Sequence, residues 1–396
     1  MALTAALRPG RDASARRRHP WLFASAFGVP LSALGPAGEV SVRSASGEPL
    51  GRGFLSPRAQ LAVRLWTTED RPVDAELVDG RVGAAVALRE RVVGGETDGH
   101  RVVNAEGDLL PGLVVDRYGG VLVVQATTEG TEAARPLWLP ALLRRFPGFP
   151  VVQRNDLPSR EGEGLPLAVE ALAGDLPEAP VPFREHGLRF LADVLAGQKT
   201  GFFLDQRENR ARVRSLAGGR SVLNLFSYSG AFGVAARAGG ASRVTQVDVS
   251  GAALALARAN HEANGQRLGE EVSLVAADVF EDLRARAAVS ERWDLVVTDP
   301  PAFAKRREDV DRACRGYKDV NRLALSLLPP GGLLLACSCS GPVSAELFQK
   351  VLFAAALDAG ATVQLLSRAG AGPDHPVSID CPEGEYLKAF LLRRVG

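Results

Sequence analysis

The chain has 396 residues, more than one average domain holds, and 46% of them are hydrophobic, so a disordered chain is excluded and two or three domains with real cores are expected. The formal net charge of +1 names no partner by itself. Four cysteines (Cys314, Cys337, Cys339, Cys381) without a CxxC pair, and five histidines without metal spacing, argue against a zinc site.

Sparse cysteines fit a reducing compartment. No apolar run reaches membrane-spanning length, and the first residues lack a signal-peptide core. These features predict a cytoplasmic protein with no membrane partner. The cations are almost all arginine, 42 against five lysines (Lys199, Lys305, Lys318, Lys350, Lys388). Arginine suits phosphate binding and base stacking, but a codon bias towards Arg, Ala, Gly and Pro explains most of the excess. Near the start, Arg8, Arg11, Arg16, Arg17 and Arg18 face only Asp12. That run reads either as a nucleic-acid surface or as an ordinary solvated face.

In chain order, residues 1–70 are expected to be β-rich, with strands at Glu39–Arg43, Gly51–Leu55 and Gln60–Trp66. Pro72 and Asp74 open a helix over Ala75–Val92. A second region, 71–190, shows a hairpin of Gly112–Asp116 and Val121–Gln125, a helix over Pro136–Arg145 whose start Pro140 is expected to delay, and a hairpin over Val181–Phe190 turning at His186-Gly187. Gly162–Gly164 and Leu176–Pro180 read as loops. From 191 to 396 strands alternate with helices: Ser221–Phe226, Arg243–Val247, Val272–Ala276, Leu295–Thr298, Gly332–Cys337, Thr362–Leu366 and Tyr386–Leu392. Such alternation predicts an α/β fold with an open, mainly parallel sheet, whose ligands bind beyond the carboxyl ends of the strands.

Those strand ends carry a series of polar groups. The first runs into Phe226-Ser227-Tyr228-Ser229-Gly230, where glycine lets the backbone approach a ligand. The second ends at Asp248, placed to accept from ribose hydroxyls. The third ends at Asp278-Val279, placed to receive an adenine amino group, and the fourth at Asp299-Pro300-Pro301. One aspartate after a strand is usually a turn former or helix cap. Four successive strand ends in this order are harder to dismiss. Because Ser229-Gly230-Ala231-Phe232-Gly233 is not the GxGxxG of a pyrophosphate site, a ligand with adenosine but no phosphates fits better: S-adenosylmethionine (SAM). Gln206 and Arg210, before the first strand, are candidates for the methionine carboxylate of SAM or for RNA. Alternatively they are the start of a solvated helix.

The chain resembles the PUA-containing large-subunit ribosomal RNA cytosine-C5 methyltransferases, the RlmI and RlmO type. The resemblance rests on Arg17-Arg18-His19-Pro20-Trp21-Leu22-Phe23, on residues 197–207 (Gly-Gln-Lys-Thr-Gly-Phe-Phe-Leu-Asp-Gln-Arg), on Asn224–Gly230, on Cys314-Arg315-Gly316-Tyr317-Lys318-Asp319 and on Ser338-Cys339-Ser340-Gly341. It implies a PUA RNA-binding domain over 1–70, a small α/β module of strand-strand-helix-strand-strand type over 71–190, and a class I (Rossmann-like) methyltransferase domain over 191–396. It also implies ribosomal RNA as partner, in the 23S molecule or an assembly intermediate, and not DNA; a homodimer stays open.

By the same resemblance, Cys339 matches the nucleophile that adds to C6 of cytosine, a task suited to a good nucleophile that also leaves well. Asp299 is placed to bind N3 or N4 of the base and to border SAM. Cys337 reads as a core residue, as do Cys314 and Cys381. Ala302 stands where many RNA cytosine-C5 enzymes carry a second cysteine, so the base that takes the C5 proton has no candidate. The rival readings are methylation of guanine N7 or adenine N6, against which the thiol after the fifth strand argues, and a non-catalytic RNA-binding assembly factor.

Overall fold

Short apolar stretches punctuated by Gly, Pro and Ser fold into a five-stranded sheet in the computed structural model, which describes residues 3–396. Its strands are β1 (Leu3–Ala6), β2 (Trp21–Phe23), β3 (Gly38–Arg43), β4 (Pro49–Leu55) and β5 (Leu61–Thr67), in the order β1-β3-β4-β5-β2, with helix α1 at Ala13–Arg16. Strands β1 and β2, four and three residues long, carry too little periodicity to be expected from sequence. Leu22, Val40, Val42, Leu55 and Val63 form the core. Gly53 is forced, since a Cβ there would lie 1.9 Å from the Arg64 carbonyl on β5.

Helix α2 spans Ala75–Val92, with Asp74 accepting from the Leu77 N–H at 2.9 Å. Next come β6 (Gly99–Asn104), β7 (Leu113–Tyr118), β8 (Val121–Ala126), α3 (Glu129–Ala133), α4 (Arg135–Arg145), β9 (Val151–Arg154) and β10 (Val169–Ala173), in a sheet ordered β10-β9-β8-β7-β6. The expected module thus gains a fifth strand, β6. Helix α4 starts at Arg135 and runs through Pro140 without delay. Proline so near the helix start removes one intrahelical bond, and burial of Trp138 and Leu142 outweighs that loss. Residues 162 and 163, expected in a loop, end a 3₁₀ turn at Pro158–Glu163. A hairpin, β11 (Val181–Glu185) and β12 (Leu188–Ala192), turns on His186 and Gly187, both left-handed with φ of 47° and 78°.

The alternating region gives α5 (Arg207–Leu216), β13 (Ser221–Leu225), α6 (Ala231–Ala238), β14 (Arg243–Asp248), α7 (Gly251–Ala263), β15 (Val272–Ala276), α8 (Val279–Ala288), β16 (Leu295–Thr298), α9 (Val310–Ser326), β17 (Leu333–Ser338), α10 (Ala345–Asp358), β18 (Val363–Ala369) and β19 (Lys388–Arg394). The sheet order is β15-β14-β13-β16-β17-β19-β18; β13 to β17 are parallel, and β19 runs antiparallel between β17 and β18. The order reverses at β13, which puts the switch-point crevice beyond the carboxyl ends of β13 and β16.

Residue contacts gather the chain into two units, one of residues up to 184 with 192–204 and 373–384, the other of 185–191, 205–372 and 385–396. Part of the long motif therefore lies in the first unit, where the Thr200 hydroxyl donates to Asp116 Oδ2 at 2.6 Å and meets the Tyr118 hydroxyl at 2.8 Å.

Candidate functional site

The loop after β13 has an unusual backbone. Phe226, Tyr228 and Gly230 are all left-handed, with φ of 55°, 46° and 74°. Two of these are not glycine, and such conformations persist only where the surroundings impose them. Asp248 holds the Tyr228 N–H, and at Gly230 the neighbour is Gln246 on β14, whose amide nitrogen donates to the Gly230 carbonyl at 3.2 Å and to His261 Nε2 at 2.5 Å, while its oxygen accepts from Asn224 at 2.8 Å. Gly230 and Gly233 both pack on Gln246, since a Cβ at either would come within 2.5 Å of that side chain. Glycine at 230 is thus required by packing inside the fold, before any ligand is considered. His261, donating from Nδ1 to Gln266, is neutral; burial pushes its pKa down to about 4.

The aspartates do what turn and cap residues do. Asp248 accepts from the Tyr228 and Ser250 N–H groups at 2.8 and 2.9 Å, and so ties the β13 loop to the end of β14. Asp278 caps α8, with Oδ1 accepting from Phe280 and Glu281 at 2.9 and 3.1 Å. Neither role uses up a carboxylate, because a carboxylate has about four acceptor sites and each of these fills two. Ser227 Oγ is buried and has no hydrogen-bond partner among the described residues. The Ser229 carbonyl accepts from Asn260 at 2.8 Å, and the Val279 side chain is buried in the core.

Further along the sheet edge, Cys339 follows β17, half-buried, with its sulfur 3.8 Å from the Pro300 carbonyl of the Asp299-Pro300-Pro301 loop. The flanking Ser338 and Ser340 are fully buried. Ser340 Oγ accepts from the Ala304 N–H at 3.0 Å and meets the Tyr317 hydroxyl at 2.8 Å. An unbroken series of ring contacts, Phe226–Phe280–Phe303–Tyr317, runs from the β13 loop to this turn at centroid separations of 6.3, 6.4 and 4.7 Å. The four strand ends singled out in the sequence therefore share one edge with the cysteine.

Gln206 and Arg210 do not form a solvated helix start: both are only 2% exposed. The Gln206 side chain accepts from Asn209 Nδ2 at 2.6 Å. Arg210 clasps Glu185 with both ends of its guanidinium, Nε at 2.6 Å from Oε1. Cys337 is fully buried, and burial pushes its thiol well up. In the basic run, Arg16 pairs with Asp12 and Glu48 at 2.7 and 2.5 Å and Arg18 with Asp380 at 3.2 Å. Trp21 donates to Glu106 at 2.9 Å.

Two features escaped the sequence. His19, Cys381 and Glu383 place ligand atoms within 4.8 Å of one another; no spacing rule finds them because they come from opposite ends of the chain. The other is Lys388 at the head of β19, buried and donating to the Ser340 carbonyl at 2.7 Å. Its signal was there to read, as one of five lysines among 42 arginines.

Comparison with known proteins agrees with this geometry. A family model described as S-adenosylmethionine-dependent methyltransferase matches residues 150–393, and one described as PUA-like domain matches residues 6–68. A ribosomal RNA large subunit methyltransferase I from Shewanella frigidimarina is 42% identical over 396 residues, covering 99% of this chain and all of the relative. A SAM-dependent methyltransferase structure from Streptococcus mutans superposes with a TM-score of 0.84 at 22% identity, covering 99% of this chain and 100% of that one. A methyltransferase complexed with SAH gives 0.85 at 22% identity over the same shares, a likeness of fold. SAM is thus the cofactor, and the chain belongs to the family of ribosomal RNA large subunit methyltransferase I, SAM-dependent enzymes with a PUA-like domain ahead of the methyltransferase fold.

Proposed function

We propose that this enzyme methylates C5 of a cytosine in large-subunit ribosomal RNA, in the cytoplasm, with Cys339 as the nucleophile towards C6. The observation that carries the reading is the setting of Cys339: a half-buried thiol after β17, facing the Asp299-Pro300-Pro301 loop and flanked by serines fixed in the core. The relative's name supplies the RNA, and residues 1–70 are the natural RNA-binding region, with 71–190 and 191–396 as the central and catalytic regions.

The β13–β15 edge fits SAM. Ser227 Oγ is a buried polar atom in need of a partner, and Asp248 and Asp278 keep acceptor capacity beside the backbone N–H groups they already serve. We assign Phe226–Gly230, Asp248, Asp278 and Val279 to the cofactor, with Asp299 bordering both it and the base. Gln206 and Arg210, both buried and tied to Asn209 and Glu185, support the site.

When bound, SAM supplies an electrophilic methyl group. Cys339 makes C5 able to accept it: the thiolate pair forms a bond to C6 and the ring becomes an enamine. After methylation a base removes the C5 proton, and the C6–S electron pair returns to sulfur. The target must first leave its stack, because neither ring face is reachable within a helix. RNA carrying 5-fluorocytidine at the target is expected to trap the enzyme as a denaturant-resistant adduct through Cys339, since the final proton cannot be removed. An adduct that persists in Cys339→Ser would sink the assignment and bring the guanine-N7 and adenine-N6 readings forward.

A further inference from the structure

Lysine is rare in this chain, and one lysine is placed where a cation is costly. Lys388 is 5% exposed and pairs with Ser338 across the β17–β19 ladder. Its Nζ donates to the carbonyls of Ser340 and Tyr386, both at 2.7 Å, and no carboxylate among the described residues lies within 4 Å of it. A buried charge without a counter-ion is strongly unfavourable. Arg210 in the same unit shows the ordinary solution, a carboxylate clasped at both ends. Lys388 instead sits beneath the turn of Ser338, Cys339 and Ser340, bound to the carbonyl that immediately follows the cysteine.

We propose that Lys388 is the counter-ion of the Cys339 thiolate, a positioning residue that stabilises the nucleophile before it attacks C6 and again when it leaves. The proposal rests on the reading of Cys339 as nucleophile. The thiol proton goes to solvent and the ammonium stays charged. As the thiolate pair forms the S–C6 bond, Lys388 loses its negative neighbour; when the C6–S pair returns to sulfur, the ion pair is restored. Departure of the thiolate is thus favoured by the charge that favoured its formation.

Burial pushes Lys388 down, against the upward pull of the neighbouring Cys339 and then Glu385, to about 8. It therefore carries its charge at neutral pH. The other titratable groups facing this corner are Tyr317 from α9, Cys337 on β17, Asp299 after β16 and Asp205 ahead of α5. Tyr317 is held up by burial, and so is Cys337, so neither supplies a competing charge near neutrality. A compact ammonium suits the place better than a guanidinium, whose five donors would need more acceptors than two carbonyls and a sulfur provide.

The test follows alkylation of Cys339 by iodoacetamide across pH in the full-length protein, read by peptide mass spectrometry without RNA. Lys388→Gln is expected to move the midpoint up by about 1–3 pH units, the usual effect of one close opposite charge. Methylation at pH 7 should fall by about 10- to 1,000-fold in kcat, recover as pH rises, and leave KM for RNA unchanged; Lys388→Arg should restore part of the low midpoint. A folded Lys388→Gln with the wild-type midpoint overturns the proposal.

If that variant does not fold, ¹³C-lysine NMR of the wild type decides, because only five lysines need assignment. Capping Cys339 as a methyl disulfide should lower the Lys388 midpoint, and an unmoved midpoint is fatal. Neither measurement involves RNA. A missing 5-fluorocytidine adduct therefore counts against Cys339 as nucleophile, while an unmoved midpoint beside a formed adduct counts against Lys388 alone.

Discussion

The two ends of the catalytic sheet edge are held in different ways. At the cofactor end, the two aspartates are fixed in good part by near neighbours: Asp278 by residues 280 and 281, and Asp248 by Ser250, with the Tyr228 N–H of the adjacent strand's loop as its distant partner. At the nucleophile end, Cys339 is set by distant segments, with Ser340 tied to Tyr317 and Ala304 and its carbonyl to Lys388. Local fixtures leave a local pattern in the chain, an aspartate after a β-rich run. Long-range fixtures leave none. The first end should therefore respond to mutation mainly in binding and the second mainly in chemistry.

The largest expected effect tests that division directly. Cys339→Ser should lower methylation by at least about 10⁴-fold, as loss of a covalent nucleophile does elsewhere, with SAM affinity and RNA affinity nearly unchanged. Cys337→Ser, two residues away in the buried strand, should do the reverse. Placing a hydroxyl in that core costs about 1–3 kcal/mol of stability and spares the reaction. Single-turnover methylation beside thermal melts separates the two. Equal loss of activity in both variants would mean that the strand, and not the thiol, matters.

At the other end, Asp248→Ala removes a charge-assisted acceptor worth about 1.5–3 kcal/mol and should weaken SAM roughly ten- to a hundredfold. It also strips the acceptor from the Tyr228 and Ser250 N–H groups, so the melting temperature should fall with it. Calorimetry showing unchanged affinity would put the ribose elsewhere.

The same contrast explains what could be read in advance. Strands β15 and β16 and helix α2 were bounded correctly from apolar runs and caps, and β1, β2, β6, β9 and β10 were not seen. Strand β8 is buried at all six positions and lacks alternation, but its hairpin turn announced it. The Phe226–Gly230 loop, the three aspartates Asp248, Asp278 and Asp299, and Cys339 were legible as strand ends. Lys388 was marked only by the rarity of lysine, and the Gln246–His261 pair beneath Gly230 and the His19–Cys381–Glu383 group were not marked at all, since each joins residues whose meeting depends on the whole fold.

That Gln246–His261 pair gives a pH test confined to the cofactor end. His261 is neutral in the folded protein, with its pKa held at about 4 by burial, against 6.5 when exposed. Between those values the unfolded chain binds a proton that the folded one refuses. This contribution to stability is complete above pH 6.5 and is lost as pH falls from 6.5 towards 4, by about 3 kcal/mol in all. Replacing His261 with Gln should flatten that part of the stability curve. A variant that keeps the wild-type slope in chemical denaturation between pH 4 and 6.5 would show that other groups set it.

The smallest expected effect concerns the basic run of residues 16–18, and the ion pairs sharpen it. A phosphate contact is seen in salt titrations because it releases condensed counterions, about 0.7–0.9 log units of binding per log unit of salt for each contact. An arginine that must first leave a carboxylate exposes an anion, which recruits a cation of its own, so the net release is near zero. Arg16 is matched by two carboxylates and Arg18 by one, whereas Arg17 is exposed and has no acidic partner within 4 Å among the described residues. Arg17→Ala should therefore reduce the salt slope by about one contact, and Arg16→Ala and Arg18→Ala by less. The triple variant should scarcely exceed Arg17→Ala alone, with SAM binding normal throughout. A slope unchanged in all four would make the run an ordinary solvated face. A slope that fell by three full contacts in the triple variant would show that RNA strips all three arginines from their carboxylates, and that the run binds as a unit.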